Sequence, residues 1–188
     1  MTDANPDFTF GTHQSFYPNL ALPPVDTFAN KKNYGTTVLN PVPQNVQTNN
    51  AEIMAILMNV KDWKNPVTGN AENPQGQKYL DLKFVNSARL AGVGPDGVYR
   101  DPWGAPYIIT LDLDYNDQCR DAFYSKTAVS KGNNGKGLNG LFSSDPNLPD
   151  RYESRTPVMV WSLGPDGAAD PTAQADSGLN KDNVTNWK

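Results

Sequence analysis

The sequence predicts an α+β domain, with one helix ahead of a small antiparallel sheet and long irregular loops. Three observations carry this. Residues 48–60, TNNAEIMAILMNV, repeat apolar positions at helical spacing. Two later segments, 107–113 and 156–163, are apolar and β-branched over strand length. With 37% hydrophobic residues, 15 glycines and 16 prolines among 188 residues, the chain holds a small core and much loop. The length fits a single core.

Taken in order, residues 1–47 scatter aromatics among Pro, Asn and Thr without helical or strand periodicity, and read as an irregular N-terminal arm. The globular head then runs over 48–188. In its helix, Asn49 or Asn50 is placed to cap, Glu52 suits the positive end of the dipole, and Ile53, Ile56, Leu57 and Val60 share a face. Asn65-Pro66 and Asn73-Pro74 mark loops. Residues 79–90 fit a strand through Leu80, Leu82 and Phe84, and a helix face through Leu80, Phe84 and Ala88. GVGPDG at 92–97 is a tight turn, and a second turn at Asp101-Pro102 and 104–106 leads into the strand at 107–113. A further strand is expected at 121–128, a surface loop at 130–150 and the last strand at 156–163. The acidic tail has Val184 and Trp187 as apolar anchors.

The net charge of −4 and the lack of any Lys/Arg run argue against nucleic acid as a partner. A single cysteine, Cys119, allows neither an internal disulfide nor a cysteine zinc site, and reads as a thiol packed beside a turn. The single histidine, His13, lies in the arm, so no Ser-His-Asp or Cys-His set forms with sensible spacing. No phosphate-binding or dinucleotide motif is present. Neither a membrane-spanning run nor a signal peptide is visible. Asp112-Leu113-Asp114-Tyr115-Asn116-Asp117 opens like an EF-hand. Asp117 stands where that loop needs Gly and Phe123 where it needs Glu, so the segment reads as a polar hairpin end. Trp103, Trp161 and Trp187 read as packing residues, with a carbohydrate platform as the alternative.

Two segments occur together: DPWGAPY at 101–107, and WSLGPDG at 161–167 followed by DNVTNW at 182–187. In this order they resemble the major pseudopilin of type II secretion systems and, more broadly, prepilin-type proteins. The resemblance covers about the second half of the chain and the helix at 48–60. It departs in the arm, in the 130–150 loop, and in lacking the family's apolar N-terminal helix.

The resemblance implies a pilin-like head whose N-terminal helix packs on a small antiparallel sheet. The implied role is non-enzymatic: a structural subunit of a type II secretion or type IV pilus-like fibre, on the periplasmic or cell-surface side of a bacterial membrane. Its partners are other pilin or pseudopilin subunits. Membrane contact is expected only through the missing helix, and the isolated domain is expected to be monomeric. The family's C-terminal loop folds around Ca²⁺, which carries over to the Leu163 carbonyl and the Asp166 and Asp182 side chains. Of the loop residues between them, Asp170, Asp176, Ser177 and Asn180 are candidates to complete the shell. Two alternatives stay open: a free secreted carbohydrate- or protein-binding module, and a glycosidase built on two carboxylates.

Overall fold

Two β-branched runs pair at the centre of the fold. The structure, a computed structural model, describes residues 7–10, 50–60, 73–87, 89–95, 97–133 and 136–187. In chain order its elements are β1 (Phe8–Phe10), α1 (Ala51–Leu57), β2 (Gly92–Val93), β3 (Tyr99–Arg100), β4 (Ile108–Leu111), α2 (Thr127–Ser130), β5 (Phe142–Ser143), β6 (Tyr152–Glu153), β7 (Val158–Ser162) and β8 (Val184–Thr185). An antiparallel four-stranded sheet has the order β1-β4-β7-β8, and β2–β3 and β5–β6 form two small antiparallel hairpins.

The pairing of Ile108 with Trp161 and Ile109 with Val160 sorts side chains by strand alternation. Ile109, Leu111, Val158, Val160 and Phe10 meet Ile53 and Met54 of α1 and Met58 just after it, together with Val93. Ile108, Met159 and Trp161 turn the other way, onto Phe123, Tyr124, Leu141, Leu163 and Trp187. The sheet is therefore covered on both faces, by a helix and by a layer of loops. Aromatic contacts knit the loop layer. Trp161 stacks on Phe123 with centroids 5.1 Å apart and meets Tyr124 edge-on at 5.0 Å, and Tyr124 meets Trp187 edge-on at 5.0 Å. Each such pair adds roughly 0.5–1.5 kcal/mol beyond its burial.

The α+β reading holds at this level: mixed helix and small antiparallel sheets. The two helices have seven and four residues, and the described residues show no long N-terminal helix. None of them is long and apolar enough to cross a membrane. Asn50 does not cap α1 with its side chain. Its amide instead donates to the Tyr99 and Tyr107 carbonyls and accepts the Tyr99 N–H, all at 2.8 Å, which pins the helix start to the sheet.

Several local expectations change. Residues 121–128 are not a strand. The Asp121 carboxylate accepts the Phe123 and Tyr124 N–H groups, and its carbonyl accepts from Ser125, so the chain turns there and runs into α2. Within 79–90 neither a helix nor a regular strand forms among the described residues: Leu80 and Leu82 pack inward, but Phe84 is 58% exposed, and the extended stretch only bonds Val93 through Lys83 and Val85. The 130–150 loop contains β5 and the buried Leu141. Trp187 is a buried anchor, but Val184 is 52% exposed and Trp103 51% exposed, so neither is a packing residue. Phe8–Phe10, within the segment read as an irregular arm, is an edge strand on β4. His13, Asn65-Pro66 and most of the arm lie outside the described residues.

Both turns behave as their glycines require. Gly97 N–H bonds the Gly94 carbonyl at 2.9 Å with φ +76°. Gly104 N–H bonds the Asp101 carbonyl at 3.1 Å, while Asp101 Oδ1 accepts from Trp103 and Ala105. Asp101 thus builds the turn that feeds β4, which is the physical role of the acid in that motif.

Candidate functional site

Behind the sheet sits a buried polar knot. Asp121 is wholly buried, and its Oδ2 accepts from the Thr110 hydroxyl at 2.6 Å and the Trp161 indole N–H at 3.2 Å. Thr110 also bonds Thr9 at 2.9 Å, and Thr9 accepts the Ala122 N–H. One carboxylate therefore links β4, β7, the 121–125 turn and, through Thr110, β1. Burial pushes the Asp121 carboxyl up from its ordinary value, against the pull of its hydrogen bonds. Cys119 is also fully buried, and burial pushes its thiol up, as a core thiol rather than a nucleophile behaves.

The acidic stretch at 112–117 folds around its own first residue. Asp112 Oδ1 accepts the N–H groups of Asp114, Tyr115 and Asn116, and Oδ2 that of Asp117. Tyr115 and Asp117 take positive φ to make this possible. Asp7 arrives from beside β1 and accepts from the Leu113 and Arg120 backbones. Asp7, Asp112 and Asp114 bring carboxylate oxygens within 4.8 Å of one another, a set of three acids that can hold a hard cation. Burial pushes Asp7 up, as do burial and the neighbouring Asp112 for Asp114. Burial also acts upward on Asp112, but its hydrogen bond with Asp114 and those from Asp117, Asn116 and Tyr115 outweigh this and hold it low. A cleft of about 330 Å³ adjoins the triad, lined among others by Asp7, Asp114, Asn116 and Asp145. Near it, Arg120 and Glu153 form a largely buried ion pair, and Ser144 adds a hydrogen bond to the same Glu153 oxygen. The acids at 112–117 were visible in the sequence as a polar turn. Asp7 was not, because it reaches them from more than a hundred residues away.

The predicted metal residues of the tail are spread differently. Leu163 directly follows β7 and has its side chain in the core. Asp166 is exposed and accepts the Ala168 N–H at 3.0 Å, and Asp176 is exposed. The Asp170 carboxylate accepts both the hydroxyl and the N–H of Thr172, which together hold its pKa down. Asn180, 1% exposed, is the hub of the loop. Its amide donates to the carbonyls of Asp170, Ala173 and Gln174 and accepts the Asp170 N–H. This one amide ties residues 170–174 to the loop's far end. Asn180→Ala is expected to lower stability by about 2–3 kcal/mol, since it strands these backbone groups; urea denaturation reads this. Asp182 Oδ1 and Asn183 Oδ1 are buried and take no hydrogen bond from the described residues. The Asp182 carbonyl lies against Gly164, whose φ of +68° and lack of a side chain allow that approach. Sequence reasoning named Asp182 but missed Asn183 beside it.

No protein-family model, curated protein or solved structure matches this chain.

Proposed function

We propose that this domain is the head of a pilin-like structural subunit, working by assembly into a type II secretion or type IV pilus-like fibre and not by turnover. One observation supports the reading above the others. The three segments that carry the sequence resemblance are neighbours: the DPWG turn feeds β4, WSLGPDG is the end of β7, and DNVTNW supplies β8 and the closing Trp187. In this reading α1 stands where a pilin head carries the lower part of its helix, and other subunits are the partners. Immunogold labelling of sheared filaments from cells making the native protein tests it. Label along filaments is expected; label confined to free protein would contradict the proposal.

The proposal includes a Ca²⁺ in the tail. Asp182 Oδ1 and Asn183 Oδ1 are buried oxygens with no hydrogen-bond donor among the described residues, which fits a cation. The Leu163 carbonyl and Asp166 are the further donors taken from the resemblance. Asn180 and Asp170 serve the loop by hydrogen bonding, so the metal shell rests on Leu163, Asp166, Asp182 and Asn183. When bound, the ion would hold the end of β7 to the start of β8. Asp182→Ala is expected to lower the melting temperature only with millimolar Ca²⁺ present, by about 5 °C, in line with roughly 2 kcal/mol of ligand-linked stability. Equal melting of variant and parent in Ca²⁺ would remove the site.

A further inference from the structure

We propose that β1 is an exchangeable strand, and that the slot it fills on β4 accepts residues 7–10 of a second copy of this chain. The slot is keyed to that segment. Thr9 is buried and pairs with Thr110, and its hydroxyl bonds the Thr110 hydroxyl at 2.9 Å and accepts the Ala122 N–H at 3.1 Å. Asp7 takes the Arg120 N–H at 2.7 Å and the Leu113 N–H at 3.4 Å. Phe10 packs on the cluster shared with α1. Without the strand, β4 becomes an open edge with the Thr110–Asp121 bond beneath it, and such an edge pairs with any matching strand.

The identity of the filling strand is chemically fixed, but its source is not. Residues 11–49 separate Phe10 from Asn50 in the sequence, a contour of at most about 140 Å, several times the radius of a domain this size. The covalent connection therefore does not dictate whose sheet the strand enters. Contacts made in cis and in trans are the same, so concentration decides between them, as in domain swapping. Dilute chains close on their own strand, and crowded neighbours exchange. This inference stands apart from the metal site and does not depend on the fibre reading.

The experiment mixes two full-length chains, both carrying Cys119→Ala, one with Thr9→Cys and one with Thr110→Cys. The cross-strand pairing of these positions puts the two thiols within disulfide reach only when a strand sits in the slot. Under mild oxidation at about 1 mM, the disulfide heterodimer is expected as the main product, and at least about tenfold less at about 10 µM. Absence of the heterodimer at both concentrations, while a Thr9→Cys/Thr110→Cys chain closes internally, would overturn the proposal. If the cysteine chains do not melt cooperatively, sedimentation of the unaltered chain answers the same question. A concentration-dependent dimer that Thr9→Arg abolishes supports exchange. A monomer throughout, or a dimer indifferent to Thr9→Arg, overturns it.

Discussion

Asp121→Ala is expected to lower the unfolding free energy by at least about 3 kcal/mol, because it removes a buried carboxylate that accepts from three buried N–H donors. These are the backbone groups of Phe123 and Tyr124 and the indole of Trp161. Asp121→Asn should cost less, about 1–2 kcal/mol, since an amide oxygen can still serve the two backbone donors while its NH₂ opposes the indole. The two variants also differ in their response to pH. Burial raises the folded Asp121 above the unfolded value of about 3.9, so the native state holds that proton more tightly. The stability tied to this group is complete below about pH 4 and is lost as pH rises through the folded pKa. Asp112 and Asp170, held low, act the other way: their contribution is present above about pH 4 and lost as pH falls. Urea titrations of parent and Asp121→Asn across pH 4–7 should therefore show a difference that shrinks as pH rises. A difference independent of pH would mean that Asp121 is not raised.

Gly164→Ala carries the second large effect. Gly164 sits in the left-handed region at φ +68°, and an added Cβ would collide with the Asp182 carbonyl, a backbone atom that cannot swing aside. The strain of the positive φ and the displacement of the tail together should cost about 2–4 kcal/mol. The damage should be local in kind: β8 and Trp187 lose their seat on β7 and Tyr124, while the α1 face of the sheet is left in place. Near-ultraviolet circular dichroism reports the Trp187–Tyr124 contact, and thermal melting reports the stability. A variant with the parental spectrum and melting temperature would show that the tail tolerates a side chain at this point.

What the sequence made legible is largely what is written locally. The helix at 51–57, the strands at 108–111 and 158–162 and the two glycine turns each carry their own signal in spacing or residue type. The misreadings share one cause, which is contact over long sequence separation. Nothing around Phe-Thr-Phe at 8–10 announces a strand, because its partner is a hundred residues away on β4. Asp121 looks like the start of a strand until its buried carboxylate is seen to close a turn. Asn180 reads as a candidate metal ligand because its composition suits one. Its burial against the carbonyls of 170–174 gives it a hydrogen-bonding role instead. Asn183 escaped notice because an unbonded buried oxygen is a property of packing, not of spacing.

The measurement that bears most directly on the structural-subunit reading is the mature N-terminus of the native protein, determined by mass spectrometry on membrane and soluble fractions of cells that make it. The expected result is a membrane-fraction protein in which a helix-length apolar segment, with a Glu near its start, precedes residues 7–187. A mature protein found free in the medium, beginning just after an ordinary cleaved signal peptide, would contradict the fibre role and favour a secreted binding module.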